Sequence, residues 1–171
     1  MEYMKRLIIL RGNSGSGKTT VARILQEKLG RTTMLLSQDT LRREILRVKE
    51  ASKHPTAELA KEMARFGWSH GFDTVIIEGI WGAKKNGRAL RELIDESDFV
   101  FVYYFDVSFE ETLRRHATKS VAQSYGEKEM REWWKEKDFL GVDGEGAIEE
   151  TYTKEAIVEK VLQDIGIIEK N

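Results

Sequence analysis

A strand, a glycine-rich loop and a helix follow one another around Leu7–Thr20, LIILRGNSGSGKTT, and this stretch constrains the fold more than any other. The apolar run Leu7–Leu10 has the length of a strand that is buried on both faces. The run breaks at Gly12 into glycine and serine residues, and a helical pattern of apolar residues then continues to Leu29. The order of strand, loop and helix predicts the first unit of a parallel sheet with helical crossovers.

The spacing of the loop, Gly12-x-x-x-x-Gly17-Lys18-Thr19, is that of a phosphate-binding P-loop in the context that the motif requires. Backbone N–H groups of such a loop point at phosphate oxygens, and the helix N-terminus adds about half a positive charge. Lys18 can reach the β- and γ-phosphates, and the Thr19 hydroxyl is placed to ligate Mg²⁺. We therefore expect ATP and Mg²⁺ as cofactors, with the nucleotide held by Gly12, Asn13, Ser14, Gly15, Ser16, Gly17, Lys18, Thr19 and Thr20.

The size and charge of the chain narrow the class of protein. A length of 171 residues favours one domain over residues 1–171, and the net charge of −1 argues against wrapping of long nucleic acid. The absence of cysteine excludes disulfides and thiolate metal sites. Neither a signal-peptide core nor a run of about 18 apolar residues is present, so we expect a cytoplasmic protein without a membrane partner.

The pattern of apolar residues predicts alternating strands and helices. Strands are predicted at Lys5–Arg11, Thr33–Ser37, Asp73–Glu78, Asp98–Asp106 and Glu145–Glu150. Helices are predicted at Gly17–Leu29, from Asp39 through Val48, at Thr56–His70, at Arg88–Asp95 and at Thr153–Ile165. A further helix is predicted after the capping box Ser108-x-x-Glu111. In the helix Thr56–His70, the predicted apolar face contains Leu59, Met63 and Phe66. This alternation predicts an α/β fold with a parallel sheet covered by helices on both faces, and a ligand site at the carboxyl ends of the strands.

Asp39 and Arg42 form an Asp-x-x-Arg pattern directly after the second strand. Asp39 could simply cap the helix that follows, and Arg42 could be a solvated helical charge. Beside a P-loop, however, a carboxylate can accept the proton of an attacking hydroxyl, and an arginine one turn on can fix the acceptor. We favour this catalytic interpretation for both residues.

Glu78 ends the third strand, where a carboxylate can hold Mg²⁺ through water or orient the acceptor. The alternative is that it satisfies a loop N–H group. We assign Glu78, with Thr19, to the metal site.

Several segments resemble the small P-loop kinases of the polynucleotide-kinase, zeta-toxin and chloramphenicol-phosphotransferase group. They are GNSGSGKTT, SQDTLRREIL, VIIEG, FDVSFEETLRRHATK and the late WW…DFLG…TKEAIVEKVLQDI. The resemblance implies a three-layer fold with a five-stranded parallel sheet and a mobile basic helical lid, at about 114–139. It also implies Asp39 as general base, Arg42 as acceptor ligand, and Arg115 and Lys119 as the lid cations on one helix face. Lys119 stands where the family has arginine, and Arg114 is an equally placed rival of Arg115.

Three functions are compatible with a P-loop. The first is an ATP-dependent kinase that phosphorylates a hydroxyl of a small molecule, a nucleoside or a nucleic-acid 5′ end; a nucleotide sugar is a further option. A GTPase switch is disfavoured, because Val121 stands where the guanine motif needs aspartate and Glu78-Gly79 where a D-x-x-G switch is expected. The alternative to the kinase is an ATPase or regulatory nucleotide-binding protein without a dedicated acceptor.

Among the tryptophans, we expect Trp81 to face the acceptor.

Overall fold

The structure is a computed structural model that describes residues 3–50 and 53–170. Its centre is a five-stranded, all-parallel sheet in the order β2-β3-β1-β4-β5. The strands are β1 Arg6–Gly12, β2 Thr33–Ser37, β3 Thr74–Gly79, β4 Phe99–Asp106 and β5 Gly146–Glu149. The helices are α1 Lys18–Leu29, α2 Thr56–Ser69, α3 Ala83–Asp95, α4 Phe109–His116, α5 Glu127–Trp133 and α6 Lys154–Asp164. A π-helix, Thr40–Ile45, follows β2, and a 3₁₀ turn, Ser120–Gln123, lies between α4 and α5.

The alternation of side chains along β1 creates two hydrophobic cores. Ile8 and Leu10 point to one face of the sheet and pack with α1 and α6. Leu7 and Ile9 point to the other face and pack with α2 and α3. Because both faces are covered, β1 is apolar at every position from Leu7 to Leu10, as expected for a central parallel strand. The predicted three-layer architecture is confirmed.

The main departures from the sequence prediction lie in the helices. The segment after Asp39 forms a short π-helix that ends at Ile45, and the Ile45 side chain is exposed. Helix α2 buries a face of small residues with Trp68, whereas Phe66, predicted on the apolar face, is 57% exposed. Helix α3 begins five residues before the predicted Arg88, at Ala83.

No helix in the described ranges 3–50 and 53–170 is both long and apolar enough to cross a membrane.

Candidate active site

The loop between β1 and α1 has the backbone of an anion cradle. Gly15 and Gly17 have φ angles of +81° and +101°, which β-carbon-bearing residues rarely adopt. A β-carbon on Gly15 would lie 2.7 Å from the carbonyl oxygen of Thr112, so α4 packs directly on the loop. No side chain caps the N-terminus of α1 at Gly17, which leaves its first N–H groups available to an anion.

Lys18 is folded over this loop rather than extended into solvent. Its Nζ donates a hydrogen bond of 2.9 Å to the backbone carbonyl of Asn13, and only 7% of the residue is exposed. Burial lowers the pKa of the Lys18 ammonium, and the nearby carboxylates of Glu78 and Asp39 partly oppose this shift. A phosphate anion beside Nζ would favour the charged form, so the site is electrostatically suited to a nucleotide phosphate.

Thr19 and Glu78 meet across the loop. The Thr19 hydroxyl donates to the Glu78 carboxylate, at 3.1 Å from both carboxylate oxygens. Glu78 lies opposite Leu10 in β1 and Ser37 in β2, at the carboxyl edge of the sheet, and is 2% exposed. Within the described part of the chain there is no group of three or more metal-ligating side chains. A hydroxyl and one carboxylate fit Mg²⁺, which takes few protein ligands and binds with substrate phosphates.

Asp39 lies just beyond the carboxyl end of β2, and its side chain is 66% exposed. It does not cap the helix that follows, because its carboxylate accepts no hydrogen bond from the first helical N–H groups. The oxygen Oδ1 lies 3.5 Å from Nε of Arg43 and 3.9 Å from Nη2 of Arg42. The carboxylate therefore remains available to a proton donor at the mouth of the site.

Arg42 is held by the protein on two sides. Its Nη1 donates to the carbonyl of Val48 at 3.1 Å, and its Nε lies 2.8 Å from a carboxylate oxygen of Glu50. Only Nη2 points toward Asp39. Arg42 thus fixes the segment after the π-helix and offers one nitrogen atom to the site.

Arg115 contacts the P-loop, and its rival Arg114 does not. Nη1 of Arg115 donates to the carbonyl of Ser16 at 2.9 Å, and Nη2 donates to the carbonyl of Glu150 at 3.0 Å. Arg114 pairs with Glu111 and is largely exposed. The prediction that Arg115 and Lys119 share a helix face is wrong, because α4 ends at His116 and Lys119 lies in the turn beyond it.

A cavity of about 570 Å³ joins the predicted residues at the carboxyl edge of the sheet. Of the predicted site residues, its lining contains Ser14, Gly15, Lys18, Thr19, Thr20, Asp39, Arg42, Glu78 and Lys119. Partial burial and the charge of Arg115 lower the pKa of Lys119, whose ammonium faces the same space. Asn13 lines a second cavity instead, of about 540 Å³. Part of the loop and both acidic residues thus line one cavity, as the strand order predicts, whereas the cavity lining does not include Gly12, Ser16, Gly17 or Arg115.

Asn13 has an additional role that its place in the motif does not indicate. Its side-chain amide donates to the carbonyl of Lys135 at 2.7 Å and accepts from the N–H of Lys135 at 2.9 Å. This pair of bonds fastens the segment after α5 to the P-loop. The side chain of Asn13 is therefore engaged with protein, while its backbone belongs to the cradle.

Arg11 and Trp81 form a buried support behind the loop. Arg11 is completely buried; its Nε donates to the carbonyl of Trp81 at 3.0 Å and Nη2 to Asp138 at 2.9 Å. The indole N–H of Trp81 donates to the carbonyl of Glu78, and Trp81 is also fully buried. Trp81 therefore supports the Glu78 strand end and does not face an acceptor, contrary to the sequence interpretation. A charged residue ending an otherwise apolar strand was the sequence signal for Arg11.

Comparisons with known proteins agree with the fold. A family model described as an AAA domain, AAA_33, matches residues 7–138. The fold is similar to that of the Mycobacterium tuberculosis APS kinase in complex with AMPPNP and APS, at a TM-score of 0.70 and 15% identity, covering 95% of this chain and 98% of that one. A gluconokinase from Sinorhizobium meliloti matches at 0.69 and 16%, covering 96% and 94%. Shikimate kinase from Acinetobacter baumannii, in complex with shikimate, matches at 0.60 and 22%, also covering 96% and 94%. No curated protein matches the chain.

Proposed function

The chain belongs to the AAA_33 family of AAA domains, and we propose that it is an ATP-dependent kinase that transfers the γ-phosphate to an alcohol. The observation that carries the proposal is the single cavity in which Lys18, the Thr19–Glu78 pair and Asp39 meet. A donor cradle and a candidate base in one space fit phosphoryl transfer between two substrates. We further propose that residues 1–171 act as one kinase domain.

On the donor side, the P-loop N–H groups and Lys18 hold the β- and γ-phosphates. Lys18 must release the Asn13 carbonyl, 2.9 Å from Nζ, to turn toward a phosphate oxygen. Lys119 faces the same cavity and adds a second positive charge. Arg115, bonded to the Ser16 carbonyl, supports the loop from outside. Lys18 and Lys119 stabilise the charge that develops on the transferring group.

Thr19 and Glu78 are the residues that would hold Mg²⁺, Thr19 through its hydroxyl and Glu78 through its carboxylate. When bound, the ion neutralises charge on the β- and γ-phosphate oxygens.

On the acceptor side, Asp39 takes the proton of the attacking hydroxyl. The hydroxyl oxygen forms a bond to the γ-phosphorus atom, the bond from that phosphorus to the β,γ-bridging oxygen breaks, and ADP leaves with the electron pair. The exposed position of the Asp39 carboxylate at the cavity mouth supports this role.

A screen with γ-labelled ATP tests the proposal. The acceptors are small alcohols, nucleosides and 5′-hydroxyl oligonucleotides, and Lys18→Ala is the negative control. A kinase gives labelled product and turnover that rises with the acceptor, and Lys18→Ala loses most of both. ATP hydrolysis that no acceptor stimulates would instead favour an ATPase or a regulatory nucleotide-binding protein.

A further inference from the structure

Two adjacent tryptophans face different cavities. Trp133, the last residue of α5, lines the 570 Å³ cavity that contains Asp39 and Lys18. Trp134 lines the second cavity, of about 540 Å³, where its ring meets Phe109 edge-on at 5.2 Å between centroids. Its indole N–H donates to Glu136. Of this pair, only Trp133 is in the space of the proposed reaction.

Trp133 belongs to a wall of flat groups that also contains Tyr125 and Arg43. The Tyr125 and Trp133 ring centroids are 5.0 Å apart. The guanidinium carbon of Arg43 lies 5.3 Å from the Tyr125 centroid and 5.8 Å from that of Trp133, within the range of a cation–π contact. We refer to Arg43, Tyr125 and Trp133 as the ring wall.

The ring wall contacts residues of the proposed reaction centre at both of its ends. At one end, Nε of Arg43 lies 3.5 Å from Oδ1 of Asp39. At the other end, the hydroxyls of Tyr125 and Ser14 are 3.0 Å apart, so the wall touches the P-loop. His116 stacks on Tyr125 at 4.6 Å and bonds its carbonyl at 2.8 Å, which holds the tyrosine ring in place. A group lying on this wall would have its attached hydroxyl close to Asp39.

The charges around this end of the cavity are balanced. Beyond the donor residues, its lining contains the cations Arg23, Arg42 and Arg43 and the carboxylates Asp39, Glu44 and Glu50. Arg42 is engaged by Glu50, and Arg43 lies beside Asp39. A polyanionic acceptor would need an excess of positive charge, and these described residues do not provide one.

We propose that the acceptor is an uncharged alcohol that carries a flat aromatic or heteroaromatic ring, and that the ring wall holds this ring beside Asp39. The inference rests on the proposed kinase function and specifies the chemistry of its acceptor. Aromatic side chains and guanidinium planes stack on flat rings irrespective of their exact substituents. A nucleoside and an aryl alcohol both carry a flat ring and an alcohol, whereas a linear polyol and a sugar acid carry no flat ring.

The first experiment compares acceptors with the wild-type protein. Nucleosides, an aryl alcohol, a linear polyol, a sugar acid and a 5′-hydroxyl oligonucleotide are each offered with γ-labelled ATP. We expect product from a nucleoside or from the aryl alcohol. Which of the two reacts shows whether the ring is a nucleobase or an aryl group. Preference for the polyol, the sugar acid or the oligonucleotide would overturn the proposal.

The second experiment uses the adjacent tryptophans as a matched pair. Trp133→Leu should raise the acceptor KM about 10- to 100-fold, the effect of losing one base–aromatic stack. The KM for ATP should be unchanged. Trp133→Phe, which keeps an aromatic ring, should have an acceptor KM close to that of the wild-type protein. Trp134→Leu, which changes the other cavity, should leave the acceptor KM unchanged. Equal effects of Trp133→Leu and Trp134→Leu, or no rescue by phenylalanine, would contradict the ring wall.

A measurement of acceptor binding in the absence of phosphoryl transfer distinguishes the ring-wall proposal from the kinase proposal. With AMPPNP present, tryptophan fluorescence is titrated with the nucleosides and the aryl alcohol, and the signal of Trp133→Phe is subtracted. Quenching that depends on Trp133 without any labelled product would support the ring wall and count against the kinase. Labelled product from a ring-free acceptor, without Trp133 quenching by any ring, would support the kinase and overturn the ring wall. No quenching and no product from any ring-bearing alcohol would also overturn the ring wall.

Discussion

Asp39 is the residue for which we propose the most specific chemical role, that of the general base. Its carboxylate is exposed at the cavity mouth, caps no helix, and has Arg42 and Arg43 on one side. The structure thus removes the helix-cap explanation that the sequence left open. What remains is a carboxylate near the phosphate cradle that accepts no backbone hydrogen bond from the helix that it precedes and contacts that helix through the side chains of Arg42 and Arg43.

We predict that Asp39→Asn lowers kcat for phosphoryl transfer at least about 100-fold, because asparagine cannot accept the hydroxyl proton. Affinity for an ATP analogue should be nearly unchanged, since the P-loop contacts are intact. Transfer is measured with γ-labelled ATP and affinity by calorimetry. Asp95→Asn, at the exposed end of α3, serves as the control and should leave both unchanged. Wild-type transfer by Asp39→Asn would exclude Asp39 as the base.

Glu78→Gln tests whether the buried carboxylate acts through the metal. Glutamine keeps the size of the side chain and an oxygen for the Thr19 hydroxyl, but it removes the negative charge. We predict that the Mg²⁺ concentration for half-maximal transfer rises about 10-fold or more. The acceptor KM should remain unchanged, as should all constants of the control Glu62→Gln on α2. A higher acceptor KM at an unchanged Mg²⁺ requirement would assign Glu78 to the acceptor instead.

At the scale of elements, the sequence predicted the strands well and the segments that connect them less well. The five strands lie within one or two residues of their predicted bounds, because continuous apolar runs between polar breaks are a strong signal. The fold and the convergence of Gly12, Asp39 and Glu78 follow from that order alone. The π-helix after Asp39 is different: Arg42 donates to the Val48 carbonyl and pairs with Glu50, and the apolar pattern of the segment does not encode these contacts.

The side chains that complete the site were the least predictable part. The sequence favoured Trp81 as the tryptophan that faces the acceptor, and only tertiary packing shows that Trp81 is buried whereas Trp133 lines the cavity. The same is true of Asn13, whose amide bonds a residue 122 positions away. Long-range contacts of this kind leave no periodicity in a single sequence.

The predicted lid, at about 114–139, divides into segments that are held differently. Helix α4 is bonded to the P-loop through Arg115, and the segment after α5 is bonded through Asn13 and Lys135. The part between them, residues 117–133, touches the P-loop through side-chain hydroxyls, Tyr125 to Ser14. Its residues Lys119, Tyr125 and Trp133 line the active-site cavity. We propose that 117–133 is the part that closes over the substrates.

Hydrogen exchange tests this division. We predict that AMPPNP with an accepted alcohol slows exchange in 117–133, while 134–140 exchanges slowly with or without ligand. Asn13→Ala should speed exchange in 134–140 about 5- to 150-fold, because two backbone groups of Lys135 lose their partners. Lys135→Ala keeps those backbone bonds and is the control. Uniform added protection over the whole of 114–139 would argue against the division.

On the scale of the whole molecule, the buried guanidinium of Arg11 links separate elements around the site. Arg11 is the penultimate residue of β1, directly before the first glycine of the P-loop, and its guanidinium donates to the carbonyl of Trp81 and the carboxylate of Asp138. Asp138 also accepts from the N–H of Ala83, the first residue of α3. Burial lowers the pKa of Arg11, and Asp138 and Glu145 oppose the shift. The central strand, α3 and the segment after α5 are thus held at one point.

We predict that Arg11→Met lowers the free energy of unfolding by about 3–5 kcal/mol, because Asp138 and the Trp81 carbonyl lose their buried partner. Urea denaturation measures the change. Arg6→Met, at the other end of β1, loses one partly buried bond to Thr74 and should cost about 1 kcal/mol. The double variant Arg11→Met/Asp138→Asn removes the unpaired charge and should recover a large part of the loss. If Arg11→Met costs no more than Arg6→Met, or if the double variant recovers nothing, the buried pair is not what holds the segment after α5 against the sheet.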